Sequence, residues 1–189
     1  ESIRFVQSPG QASSLAADLA RLMDSVESEE IDLANLEQLV PDDLASHWDA
    51  TVQFLKIVTE QWPQYLADHR LVSPVARRNM LMTLETERLA KGSAHPVIAA
   101  GSTGTVPATA RLLKTIASLP NGAVVLPGLD KSLDEESWAM LAEHPEHPQT
   151  GMAELLTKLG ATRDDVAYVP GSEPGEAQQA RLGFVSEML

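Results

Sequence analysis

Along the first half of the chain, apolar residues recur with the spacing of helices. Leu15, Leu19, Leu22 and Val26 stand at i, i+4, i+7 and i+11, a single stripe on a helix predicted over about 12–26. Before it, Ile3–Val6 (IRFV) reads as a lead-in strand that Ser8-Pro9-Gly10 breaks. Asp32 is placed to cap a short helix burying Leu33, Leu36 and Leu39 or Val40. Pro41-Asp42-Asp43 opens the longest predicted helix, with proline and acids at its positive end. Leu44, Trp48, Val52, Leu55, Val58 and Trp62 line one face of it, so both tryptophans read as core residues. Pro63 kinks or ends this helix, and Leu66 continues the stripe after the break. Ser73-Pro74 starts another, with Val75, Met80 or Leu81, Leu84 and Leu89 inward, and Lys91-Gly92 closes it. Residues 10–92 therefore predict three or four antiparallel helices.

From His95 the period changes. Two short apolar runs, Pro96–Ala100 and Ala123–Leu126, flank one amphipathic helix, with a Gly-rich turn (Gly101-Ser102-Thr103-Gly104-Thr105) after the first run. That is the pattern of a βαβ unit, and parallel sheets bind ligands where strand ends meet helix starts. Ser132 is placed to cap a helix over about 133–143, with Asp134, Glu135 and Glu136 in its first turn. A helix over about 150–159 carries Met152, Leu155, Leu156 and Leu159, with Gly160 as its natural stop. Val166–Val169 reads as a further short strand and Glu176–Leu189 as a helix. The fold class is thus α/β: a helical subdomain over 1–93 and a parallel βαβ region over 94–189.

Composition narrows the function. At 189 residues and 43% hydrophobic, the chain suffices for one substantial core or for an α/β domain with a helical subdomain. No apolar run approaches the length of a membrane span, and the first residues lack the pattern of a signal peptide. We expect no membrane partner and a cytoplasmic setting. The absence of cysteine excludes disulfides, thiolate metal sites and a cysteine nucleophile within this stretch. With 27 acidic and 14 basic residues the net charge is −13, unlike that of an autonomous nucleic-acid binder. A start at Glu1 rather than Met, and a stop at Leu189 inside an apolar-patterned helix, lead us to expect both ends inside a longer protein.

The GSTGT turn is the first candidate for chemistry. A phosphate loop of the Walker type follows its glycines with Lys-Ser/Thr, whereas Val106-Pro107 follows here. The spacing is G-x-x-G, short of the dinucleotide fingerprint. An anion on the helix N-terminus, held by Ser102, Thr103, Gly104 and Thr105, is one reading. A tight turn with N-capping is the other, and Pro107 at the first helical turn favours it. No acid ends the first strand. Asp130, after the second, is either a cation ligand or a turn residue. His144 and His147 share the EHPEHP loop with two glutamates, but prolines interrupt any regular ligand spacing. No G-x-S-x-G is present, and Ser102 has no evident base. Arg70, Arg77, Arg78, Arg88 and Lys91 form the one basic cluster, readable as a contact to DNA or a partner, or as a solvated helix face. No catalytic, metal or cofactor residue is expected.

These segments carry a resemblance. PVIAAGSTGTVPATARLLKTIASLPNGAVVLPGLDKSLDEESW resembles part of the B subunit family (AddB) of the AddAB helicase–nucleases, in the alphaproteobacterial form. LVPDDLASHWDATVQFLKIVTEQWP, SPVARRNMLMTLE and RLGFVSEML look like its neighbouring stretches. The resemblance implies a partial RecA-like (P-loop NTPase-like) core over 94–189 and a 1B-like helical insertion before it. It implies a complex that resects DNA double-strand breaks for recombination, with an A subunit and duplex DNA ends as partners. It places the Walker loop upstream of Glu1, and the nuclease carboxylates and Fe–S cysteines downstream of Leu189. Under it this segment is a non-catalytic scaffold. A nucleotide- or small-molecule-binding domain built on Gly101–Thr105, or a helical protein-interaction module, remain as alternatives.

Overall fold

The structure is a computed structural model that describes residues 8–31 and 56–186. The expected strand at Ile3–Val6, the helix at 32–40, the long helix through Leu55 with Trp48, and the last three residues lie outside the described residues. The chain divides into two compact units, Glu1–Leu81 and Met82–Leu189, so the division falls inside a helix.

In the first unit, α1 spans Pro9–Ser28. Ser8 and Pro9, expected only to break a strand, begin this helix: the Ser8 hydroxyl accepts the Gln11 N–H at 3.3 Å and Pro9 takes the first helical turn. A single π turn at Ile57–Gln61 leads into α2, Trp62–His69. The Trp62 N–H reaches back five residues to the Ile57 carbonyl. Pro63 explains this wider turn. It has no N–H to donate, and its ring crowds the preceding turn, so the helix loosens just upstream instead of stopping. Trp62 is 38% exposed and stacks on Tyr65 at 5.5 Å, which corrects its reading as a core residue.

Helix α3, Pro74–Ala90, starts where Ser73-Pro74 predicted. Ser73 is buried: its hydroxyl accepts the Ala76 N–H at 2.9 Å and donates to the Glu27 carboxylate. Asn79 donates to the Glu27 carbonyl at 2.9 Å, so polar groups join the end of α1 to the start of α3. Val75 and Leu89 are buried as expected, whereas Met80, Leu81 and Leu84 are each more than half exposed.

The second unit holds the βαβ unit. Strands β1 (Val97–Ala100) and β2 (Gly122–Val125) pair in parallel, Val97 opposite Gly122 and Ala100 opposite Val125. Helix α4, Pro107–Ala117, connects them and buries Ala108, Ala110, Leu113 and Ile116. After β2 come α5 (Glu135–Met140), extended by a 3-10 turn at Leu141–Glu143, then α6 (Thr150–Leu159) and α7 (Glu176–Ser186). Gly160 ends α6 in the left-handed conformation, as predicted. The core joins Ala110 and Leu113 of α4 to Leu155 of α6, over Ala99 and Val124. Full burial of Leu113 and Leu155 contributes about 1.5–3 kcal/mol each. Mixed α/β architecture is therefore established.

Two expectations fail here. Val166–Val169 forms no strand; the Val166 carbonyl instead accepts from the Lys131 ammonium. Asp134, not Ser132, caps α5, its carboxylate accepting the Ser137 N–H at 2.8 Å. Ser132 is unavailable because Asp130 has already taken its N–H at 2.7 Å and its hydroxyl at 2.6 Å.

Candidate functional site

The GSTGT turn follows the C-terminal end of β1, where parallel sheets hold ligands. Its residues are nevertheless occupied by the fold. Gly104 is buried with φ +61°, and a Cβ there would stand 2.5 Å from Leu155 Cδ1 and 3.2 Å from Leu113 Cδ1. The glycine lets the chain pass beneath the seam between α4 and α6. The Ser102 hydroxyl accepts the Gly104 N–H at 3.3 Å, stapling the turn. Thr103 and Thr105 are exposed. The turn does not cap α4 with a side chain: Val106 occupies the cap position in extended conformation, as a residue before proline prefers.

A cleft of the second unit lies after β2 instead. It encloses about 820 Å³ between the Gly128–Leu133 loop, the His147–Gln149 turn, Tyr168 and the Ser172–Pro174 segment, and the first turns of α7. One amide organises its wall. Gln149 donates from Nε2 to the Gly128 carbonyl at 3.0 Å and accepts the Asp130 N–H at 3.0 Å. Asp130 Oδ1 accepts from Ser132 and from the Leu133 N–H at 3.2 Å, so its turn role is the one realised. His147 Nδ1 accepts the Gln149 N–H at 3.1 Å. A neutral His147 ring thus carries its proton on Nε2. Lys131 Nζ lies 5.6 Å from the Tyr168 ring centroid, and Arg181 lines the cleft from α7.

Beside this cleft sits a residue with no motif to announce it. Arg163 is 8% exposed, its guanidinium donating to the Leu133 carbonyl and to the Glu135 carboxylate, 4.5 Å above the Trp138 ring. It ties the loop after α6 to the start of α5.

The expected basic cluster divides between the units. In the first, Arg70 ends α2 in the left-handed conformation (φ 53°), Arg77 is exposed, and Arg78 donates to Ser28 at 3.1 Å and to Asn79. In the second, Arg88 forms two 2.7 Å hydrogen bonds to Glu85, which hold the Glu85 carboxyl below its ordinary range, and Lys91 is exposed. In the EHPEHP loop, His144 Nδ1 lies 3.2 Å from Glu146. Among the described residues no group of three or more His, Asp or Glu is arranged to hold a metal ion, and no helix is long and apolar enough to cross a membrane.

The class these observations define is a mixed α/β protein with a parallel βαβ unit. No protein-family model, curated protein or solved structure matches the chain.

Proposed function

We propose that this chain is a non-catalytic, helicase-like segment of the B subunit of a cytoplasmic helicase–nuclease that repairs DNA double-strand breaks. In this reading the βαβ unit belongs to a RecA-like core, and the segment scaffolds the assembly against the A subunit and, through the full complex, duplex DNA ends. The observation that carries it is the outer face of the sheet. Ala99 and Val124 face the core, so Ile98, Ala100, Ala123 and Val125 point the other way. All four are apolar, and Ile98 is 68% exposed. Parallel strands apolar on both faces are the mark of a sheet covered on both sides, and α4 and α6 both belong to the inner face. The outer face therefore suits burial by more protein, which is what a scaffold segment supplies. The packing of Gly104 adds support, since it accounts for the glycine without a phosphate.

Capture of the purified A subunit by the immobilised full chain tests this. Saturable binding at micromolar concentration is expected; none at that concentration overturns the reading. A nucleotide site on the GSTGT turn predicts instead ATP binding that Thr103→Ala abolishes. Met80 and Leu81, both more than half exposed on α3, favour a second reading in which the helical region is itself the protein-binding module. Residues 1–92 then suffice for capture, whereas the scaffold reading needs residues 95–189.

A further inference from the structure

The cleft after β2 offers chemistry that neither the sheet face nor the GSTGT turn uses. Its volume, about 820 Å³, lies in the range of small-ligand sites. Its place beyond the C-terminal end of a parallel strand is where open α/β sheets hold ligands. The wall is organised before any ligand arrives, because Gln149 and Asp130 have spent hydrogen bonds on the loop itself. Beside the second oxygen of Asp130, the groups left over include three strong donors. Lys131 gives one proton to the Val166 carbonyl and keeps two, the Nε2–H of a neutral His147 is not used by the Gln149 contact, and Arg181 brings a second full cation. In a chain of net charge −13, a cleft lined by two cations against one carboxylate, Asp130, whose Oδ1 is turned to the loop amides, favours anions. Tyr168, 44% exposed, adds an aromatic surface beside the cations.

We propose that this cleft binds a small organic phosphate of nucleoside monophosphate size, its phosphate on Lys131 and Arg181 and its ring against Tyr168. Arginine supplies a planar fork for phosphate oxygens, and lysine a compact charge. The site stands independently of any contact to the A subunit.

Isothermal titration of the full chain with adenosine monophosphate, adenosine and inorganic phosphate tests the proposal. Saturable binding of the monophosphate with Kd below about 1 mM is expected, with adenosine at least about tenfold weaker. Arg181→Ala is expected to weaken it about tenfold or more, with partial recovery in Arg181→Lys. Thr103→Ala leaves it unchanged, which separates this site from the GSTGT turn. Because Lys131 also holds the Val166 carbonyl, Lys131→Met is read only alongside an unchanged circular dichroism melt. Absence of saturable heat with the monophosphate, adenosine binding as tight as the monophosphate, or indifference to Arg181→Ala overturns the proposal. Displacement of the monophosphate by a single-stranded oligonucleotide at lower concentration assigns the phosphate to a nucleic-acid strand and overturns the small-molecule assignment.

Discussion

Replacing Gly104 with alanine adds one methyl group, and the structure makes that addition expensive twice over. The backbone there has φ +61°, a left-handed conformation that costs a residue with a side chain about 1–2 kcal/mol. The new Cβ would also stand 2.5 Å from Leu155 Cδ1 and 3.2 Å from Leu113 Cδ1, among the most buried side chains of the core. Overpacking of this kind costs about 1–3 kcal/mol. Gly104→Ala should therefore lose about 2–5 kcal/mol, a fall in Tm of about 4–20 °C for a chain of this length. Gly101 separates the two components. Its φ is +77°, yet nothing lies within 4 Å of its Cβ position, so Gly101→Ala should lose only the backbone part, about 1 kcal/mol. A double variant isolates the steric part. Leu155→Ala alone costs about 2–5 kcal/mol, but it clears the space that the new methyl needs. Gly104→Ala with Leu155→Ala should cost about 1–2 kcal/mol less than the sum of the singles. Urea unfolding followed by circular dichroism gives all four values. Equal losses at Gly101 and Gly104, or strictly additive singles, would refute the packing role of Gly104.

Arg163→Leu should destabilise by about 2–4 kcal/mol in the same assay, through the lost charged hydrogen bond to the Leu133 carbonyl and the lost stack on Trp138. Glu135→Gln should change stability by less than about 1 kcal/mol, because that carboxylate is 89% exposed; a loss equal to that of Arg163→Leu would show the ion pair to matter more than the buried contacts. Hydrogen bonds from the Ser137 backbone and hydroxyl hold the Asp134 carboxyl below its ordinary range, and those from Thr162 do the same for Asp165. Groups with depressed folded values stabilise above the ordinary carboxylate pKa and lose that contribution as pH falls through the folded value. The stability gap between wild type and Asp134→Asn/Asp165→Asn should thus be full at neutral pH and close below about pH 4; a gap that widens on acidification contradicts the sign.

Much of the second unit was legible in the residue pattern. β1, α4, β2 and α6 stand close to where the apolar runs and helical periods placed them, because each buries a continuous stripe against the next. Contacts made by single residues across loops were not legible. Arg163 sits in Ala161-Thr162-Arg163-Asp164-Asp165, a polar loop with no period, and its burial depends on Leu133 and Trp138 some thirty residues earlier. Local competition displaced Ser132 from its cap position, since Asp130 lies two residues away and reaches it first. Val166–Val169 has strand composition but pairs with no strand among the described residues. The cleft is assembled from four chain segments, none carrying a motif, so topology alone brings Lys131, His147, Tyr168 and Arg181 to its walls. The GSTGT turn stands between β1 and α4 as the residue pattern places it, but its buried glycine answers to Leu155 of α6, a partner invisible at the level of the turn.

The most direct test of the scaffold account is capture of the A subunit by the full chain compared with its Ile98→Asp variant. Ile98 is 68% exposed on the outer face of the sheet, so the substitution should leave the thermal melt almost unchanged. If the A subunit is what covers this apolar face, an aspartate buried there should weaken capture by about tenfold or more. Saturable capture by the wild-type chain, lost in the variant with the melt intact, is the predicted result. Equal capture by both chains, or none by either, contradicts the account.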